Sequence, residues 1–264
     1  MITFNNIGYM GRFGNQMFQM ASTIGIARKL GYVPIFPMER FNENGGPDSY
    51  VGCKLSECFK IPENLIKPIS EINVQHVYHE NQFGYNPETL GLPDSTTLSG
   101  YFQTEKYFKS IENEIREIFS FRDEIIAEGN KQYSIENGVS IHIRRGDYLA
   151  SPDYHPIQTL EYYRDAISKF DENSNFYIFS DDPEWCKSNL NIKNSKIIES
   201  GNPYIDMYLM SLCDGHIIAN SSFSWWGAWL SKKEDKIVVA PLKWFGHLIP
   251  NETSDIYCKN WIKI

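Results

Sequence analysis

Val139-Ser140-Ile141-His142-Ile143-Arg144-Arg145-Gly146-Asp147-Tyr148 begins as an alternating apolar run and ends in a knot of charge. Successive side chains of a β-strand point to opposite faces. Val139, Ile141 and Ile143 therefore share one face, while His142 and Arg144 share the other. Gly146 permits a sharp turn directly afterwards. An imidazole and a guanidinium are thus expected side by side at the carboxyl end of a strand, where open α/β sheets bind their ligands. The rigid fork of an arginine suits a phosphate or pyrophosphate at such a place. The plainer alternative is a surface strand whose arginines are solvated or paired with Asp147.

Strand and helix patterns alternate on both sides of this stretch. After it come helices at 157–170, from 183, at 204–213 and at 223–231, interleaved with strands at 175–180, 196–198, 216–219 and 237–240. Such βαβα order predicts a parallel sheet covered by helices on both faces. Before it, a strand at 2–7 leads through a glycine-bearing loop into a helix at 16–30. Strands are expected at 33–36 and 97–103. An amphipathic helix is expected at 106–119, with Tyr107, Ile111, Ile115 and Ile118 as its buried stripe. Residues 38–96 are rich in Asn, Pro and Gly and predict only short helices or loops. The polar segment 123–138 marks a boundary, giving an N-terminal lobe at 1–130 and a C-terminal lobe at 131–264.

The chain has 264 residues, 42% apolar and 14% aromatic, enough to build the cores of two α/β lobes. Its formal charge is −8 and its pI about 5.3, which argues against a nucleic-acid-binding surface, since that needs a basic field, while leaving room for a local basic pocket such as Arg144-Arg145. Cys53, Cys58, Cys186, Cys213 and Cys258 form no CxxC pair and fit reduced thiols. A Cys53–Cys58 bridge has no support in the sequence. The amino terminus lacks the basic segment and apolar run of a signal peptide, and no stretch approaches the ~18 apolar residues of a membrane span. A cytoplasmic protein is expected, at most peripheral to a membrane.

Three further loops follow strands. Gly11-Arg12-Phe13-Gly14-Asn15-Gln16 can bring backbone amides close to an anion at a helix start, with Asn15 and Gln16 as added donors. It has neither Walker nor GxGxxG spacing, and a plain strand-to-helix turn reads equally well. Ser180-Asp181-Asp182-Pro183 places Asp182 as a helix cap before a proline, leaving Asp181 free for a ligand. A metal is the weaker use of this pair, because no third carboxylate or histidine lies nearby in sequence. Asn220-Ser221-Ser222-Phe223-Ser224-Trp225-Trp226-Gly227 delivers hydroxyls to a helix start, for capping or for a phosphate. Trp225, Trp226 and Trp229 read as core. His76, His79, His155, His216 and His247 are scattered and read as structural. No GxSxG, HExxH or catalytic-cysteine signature suggests a hydrolase.

In this order, residues 11–16, the Gly100-Tyr-Phe-Gln-Thr-Glu-Lys-Tyr-Phe108 segment, His142–Tyr148, Phe179–Asp182 and residues 220–229 resemble the α-1,2-fucosyltransferases of glycosyltransferase family 11 in their short bacterial form. The likeness covers residues 11 to about 230. It implies a GT-B-like fold, two Rossmann-like lobes with parallel sheets facing across a cleft, the acceptor on the N-terminal side and the GDP-sugar on the C-terminal side. It implies transfer of fucose from GDP-β-L-fucose, with inversion, to the 2-hydroxyl of a galactose-terminated glycan. Neither a metal nor another cofactor is implied, GDP-fucose being a co-substrate. By the same likeness His142 touches GDP, Arg144 neutralises the leaving diphosphate and Asp181 holds the guanine. Ser221, Ser222 and Phe223 line the donor, as does the loop carrying Arg12, Phe13, Gly14 and Asn15, in which Gly14 and Asn15 face the diphosphate and fucose. Candidates for direct catalysis are Arg144, Asn15 and Asp147. The base is open between Asp147 and Asn15, the latter able only to orient the acceptor hydroxyl; Asp147 alternatively buttresses the arginines. Two other readings stand beside this one: transfer from another GDP-sugar, and an inactive module that binds a sugar nucleotide or glycan.

Overall fold

Apolar residues at alternate positions, with small or imidazole side chains between them, bury residues 138–143 along their whole length. The computed structural model describes residues 1–43, 51–136, 138–249 and 252–264. The chain divides into two units: Met1–Arg122 with Glu252–Cys258, and Asp123–Asn251 with Lys259–Ile264.

The first unit runs β1 (Ile2–Thr3), α1 (Phe13–Leu30), β2 (Pro34–Pro37), α2 (Met38–Asn42), α3 (Leu55–Cys58), β3 (Ile66–Lys67), β4 (His76–His79), β5 (Thr96–Ser99) and α4 (Glu112–Ile118). Among the described residues its strands pair in parallel in the order β3-β2-β1-β5-β4. The second runs α5 (Asp123–Gln132), β6 (Gly138–Ile143), α6 (Leu160–Ile167), β7 (Asn175–Ser180), α7 (Pro183–Asn189), β8 (Ser195–Ile198), α8 (Pro203–Ser211), β9 (Gly215–Ile217), α9 (Ser222–Leu230), β10 (Ile237–Ala240) and β11 (Ile262–Lys263). Its described strands are also parallel, in the order β11-β10-β9-β6-β7-β8. In each sheet the chain first moves one way from its opening strand and later returns to the other side. The switch points are β1/β5 and β6/β9, where such sheets take ligands.

The alternation at 139–143 sorts as expected. Val139, Ile141 and Ile143 pack with Tyr162, Tyr163 and Ala166 of α6. Ser140 and His142 take the opposite face: the Ser140 hydroxyl meets His216 Nδ1 at 2.8 Å, and the His142 ring lies 5.6 Å from that of Phe223. Trp225, Trp226 and Trp229 are buried core. The five cysteines are free thiols.

Several expected boundaries move. Helix α1 begins at Phe13 rather than at residue 16, because Phe13 extends the buried stripe through Met17, Ala21 and Ile24. Phe13 stacks on Phe59 with ring centroids 5.7 Å apart, so it belongs to the core and not to a ligand loop. The helix expected at 106–119 is confined to α4, preceded by two 3₁₀ turns; Thr104 caps the first by accepting the Lys106 amide. Residues 38–96 contain strands β3 and β4. Strand β4 lies at a sheet edge with mostly exposed side chains, so it never needed the apolar alternation that marks a strand in sequence. Residues 44–50 of that stretch lie outside the described residues, as does residue 137 of the expected boundary segment. That segment forms helix α5, and a boundary at 130/131 would cut through it. Gly129 of α5 has no room for a side chain against the Tyr208 ring of α8, and Asn130 accepts the Tyr208 hydroxyl at 2.9 Å, so α5 belongs to the second unit.

Candidate functional site

The loops that follow β6, β7 and β9 meet because β6 lies between β7 and β9 in the sheet. Arg144, the first residue beyond β6, pairs with both neighbouring acids. Its Nη2 donates to Asp147 Oδ1 at 2.6 Å, and its Nη1 lies 3.0 Å from Asp181 Oδ2. Its guanidinium carbon sits 5.5 Å from the centre of the Tyr148 ring. Burial works against this charge, but the two carboxylates outweigh it and hold the guanidinium above its ordinary pKa. At most two of the five N–H donors are taken up by these contacts, leaving a preset fork.

Arg145 turns away from Arg144. Its amide donates to Asp181 Oδ1 at 2.9 Å, its Nε donates to Asp182 Oδ2 at 3.0 Å, and its guanidinium covers the Trp185 ring at 3.9 Å. Asp181 is therefore not free: one oxygen holds the Arg145 amide and the other Arg144. Gly146 is needed for this approach, since a Cβ there would meet Asp181 Oδ2 at 2.5 Å. Asp182 caps α7 as expected, accepting the Trp185 amide at 3.1 Å.

His142 is buried and its Nδ1 has no hydrogen-bond partner among the described residues. Burial, with Arg144 adding to it, lowers its pKa to about 3, so the ring is neutral at physiological pH. Beyond β9, Asn220 ties the loops together. Its carbonyl accepts the Tyr148 hydroxyl at 2.9 Å, its Oδ1 accepts from Gln158, and its Nδ2 donates to the Trp244 carbonyl. Ser221 caps α9 through the Phe223 amide, while Ser222 and Phe223 are half-buried at the first turn.

In the first unit the 11–16 segment wraps the start of α1. Arg12 occupies the N-cap position without a side-chain cap, and Gly14 and Asn15 lie in the first turn. Gln16 is spent on structure: its Nε2 donates to the Gly52 carbonyl at 3.2 Å and its Oε1 accepts the Lys54 amide at 2.9 Å. Asn15 Oδ1 accepts from Gln103 Nε2 at 2.6 Å. Gln103 lies in the 100–108 segment that carries the resemblance but has no role assigned to it from the sequence, and Glu80, which accepts the Tyr101 and Phe102 amides, was not singled out. The hint was Gly100, whose missing Cβ would meet Glu80 Cβ at 2.4 Å.

Arg144, Asp147, Asp181 and His142, with the Ser221–Phe223 turn, thus gather at one sheet edge, and Gly14 and Asn15 stand at the other sheet's switch point. Among the described residues no group of three or more His, Cys, Asp or Glu side chains is gathered as a metal site, and no described helix is long and apolar enough to cross a membrane.

Known proteins bear on this geometry. The family model for glycosyl transferase family 11 matches residues 1–264. An α-1,2-colitosyltransferase of Escherichia coli is 39% identical, over 96% of each chain. A galactoside α-(1,2)-fucosyltransferase 1 of Leontocebus fuscicollis is 25% identical, over 84% of this chain and 64% of its own. The crystal structure of the fucosyltransferase NodZ from Bradyrhizobium superposes with a TM-score of 0.55 at 14% identity, covering 86% of this chain and 90% of its own. That likeness shows a GT-B-like fold, with two Rossmann-like units each built on a parallel sheet. With a match along its whole length, the chain belongs to glycosyltransferase family 11 and is a glycosyltransferase.

Proposed function

We propose that the chain is an inverting α-1,2-fucosyltransferase that moves L-fucose from GDP-β-L-fucose to the 2-hydroxyl of a terminal galactose. The observation that carries this reading is Arg144, a guanidinium held by Asp147 and Asp181 at the β6/β9 switch point. Breaking the sugar–phosphate bond leaves negative charge on the diphosphate. A preset fork stabilises that charge as it develops, without a metal. Asp147 and Asp181 hold the fork in place; we assign Asp147 to this task rather than to proton abstraction, and Asp181 to it rather than to the guanine. His142, neutral and buried beside Arg144, and the first turn of α9 supply the remaining donor contacts. Asn15 orients the reacting sugar or the acceptor hydroxyl, whose proton is released to solvent water late in the transfer, as the new glycosidic bond forms.

A second reading changes only the sugar. The α-1,2-colitosyltransferase relative favours a GDP-activated colitose, which is L-fucose without its 3-hydroxyl. A site that hydrogen-bonds that hydroxyl would reject the deoxy sugar by a factor on the order of 10⁴, whereas an apolar pocket would accept both. The experiment is a donor panel of GDP-fucose, GDP-colitose and GDP-mannose. Lactose, lacto-N-biose and N-acetyllactosamine serve as acceptors, and NMR assigns the linkage. A preference for GDP-fucose with an α-1,2 product supports the first reading. Preference for GDP-colitose replaces the donor, and GDP binding without turnover of any donor replaces the transferase with a binding module.

A further inference from the structure

The segment 100–103 is held from two sides. Along one face of α1, Gln19 donates to the Gly100 carbonyl at 3.2 Å and Ser22 donates to the Phe102 carbonyl at 3.1 Å. Asn15 completes this face at the helical spacing i, i+4, i+7. From the other side the Glu80 carboxylate accepts the Tyr101 and Phe102 amides at 2.6 and 2.9 Å. The backbone is forced into this shape. Phe102 has a φ of 50°, rare for a bulky residue, and its ring is locked in the core beside Phe4 and Tyr107. Gly100 has a φ of 153° and leaves room only for Glu80.

What this scaffold delivers is one side chain. Gln103 is buried, and its Nε2 donates to Asn15 Oδ1 at 2.6 Å. With its oxygen turned to Gln103, the Asn15 amide presents its nitrogen on the other side. Gly11 makes the space for that nitrogen, since a Cβ at residue 11 would lie 2.3 Å from Asn15 Nδ2. No described residue accepts a hydrogen bond from Nδ2.

We infer that Gln103 is a positioning residue: it fixes the Asn15 amide so that Nδ2 faces the substrate as a donor, and the Glu80-braced turn exists to hold Gln103 there. The inference rests on the reading that Asn15 touches the reacting sugar or the acceptor hydroxyl. A donor aimed at such an oxygen must not flip to present its own carbonyl, because two oxygens would then face each other.

The test uses the full chain, with whichever GDP-sugar the donor panel finds best, so that the identity of the sugar does not enter. Gln103→Ala should lower kcat on the order of 10-fold or more. In an Asn15→Ala background the same change should add little, because Gln103 acts through Asn15. Gln103→Glu supplies the readout that a packing role would not move. The introduced carboxyl group, when ionised, can only accept, so it draws Nδ2 inward and the enzyme slows; when protonated it can donate again. The ratio of Gln103→Glu to wild-type kcat should therefore rise as pH falls from 8 to 5, and it should rise in a Glu80→Gln background as well, where Glu80 cannot titrate. Three results would overturn the inference. The first is Gln103→Glu running at the wild-type rate at pH 8. The second is Gln103→Ala costing as much in the Asn15→Ala background as alone. The third is Gln103→Ala at full rate while Asn15→Ala is impaired. A fully active Asn15→Ala enzyme overturns the assignment of Asn15 and this inference with it, and leaves the Arg144 reading standing.

Discussion

At the β6/β9 switch point Arg144 is held by two carboxylates and neighbours a buried neutral imidazole. At the β1/β5 switch point Asn15 is held by the amide of Gln103, and the Glu80 carboxylate is turned to the backbone amides of the same turn. The two units share a parallel-sheet plan and put loops at the same kind of edge, yet the group fixed at Arg144 is a charge and the group fixed at Asn15 is a dipole. The difference teaches what each can do. A charged fork answers the large charge change of a departing diphosphate. A neutral amide can only select orientation, where an added charge would attract water and counter-ions.

The largest effect expected from this contrast is at Arg144. Arg144→Ala should lower kcat on the order of 100-fold or more, corresponding to ~3 kcal/mol of barrier, while thermal melts move little. Arg144→Lys keeps the charge but loses the fork and should recover only a small part. Arg145→Ala, which breaks contacts to Asp182 and Trp185, should act on stability before kcat. A folded Arg144→Ala enzyme with near-normal kcat would erase the distinction between the two edges.

Buried histidines of the second unit and the buried Glu80 of the first should pull stability in opposite directions as pH changes. Burial lowers His142 and His216 to about 3, against an ordinary 6.5. A depressed histidine contributes stability that is present above pH 6.5 and lost as pH falls toward 3. Burial raises Glu80 to about 7, against an ordinary 4.5, despite the two amides that favour its charged form. A raised carboxyl contributes stability that is complete below pH 4.5 and lost as pH rises through 7. Asp206 of α8, raised by burial to about 6, pulls the second unit the same way as Glu80, so whole-protein melts mix the signs. The comparison therefore needs variants. His216→Gln should shrink the loss of Tm on acidification, and Glu80→Gln should shrink the loss between pH 5 and 8. If both variants change the same limb of the profile, the assigned protonation states are wrong.

Much of the second unit was legible because its signals are local. Strands 175–180 and 237–240 carry their apolar runs intact, and Arg144 lies three residues from Asp147, one of its two partners. The first unit was harder to read for the same reason in reverse. Asn15 meets Gln103 across 88 positions, and Glu80 reaches the Phe102 amide across 22. Strand β4 lies at an edge and shows no apolar period. Asp181 looked available because sequence displays a side chain and not the amide that will claim it; the Arg145 N–H takes Oδ1 only after β6 and β7 have paired.

A smaller effect tests the capping serine and aspartate. Asp182→Ala and Ser221→Ala each remove an acceptor from a helix start, of α7 and α9 respectively. Each should cost about 1 kcal/mol. In a chain of this size that is a few degrees of Tm. Asp182→Ala should also release Arg145 Nε and so exceed Ser221→Ala. If instead Ser221→Ala costs catalysis at unchanged Tm, its hydroxyl serves the donor and not the helix.

The smallest expected effect is none at all. If the fork of Arg144 is what neutralises the leaving diphosphate, EDTA should leave the initial rate unchanged, and added Mg²⁺ or Mn²⁺ should not raise it at saturating donor. Asp181 and Asp182 are the adjacent carboxylates that a divalent ion would use, but Asp181 is engaged with Arg144 and the Arg145 amide, and Asp182 with Arg145 and the Trp185 amide. A cation there would have to displace two arginine contacts and sit beside two guanidinium charges, which opposes its binding electrostatically. Activity lost in EDTA and restored only by a divalent cation would reverse this ordering. It would make the acids the primary machinery and the arginines their counter-charges, and the β6/β9 edge would then differ from the β1/β5 edge by a metal and not by a fork.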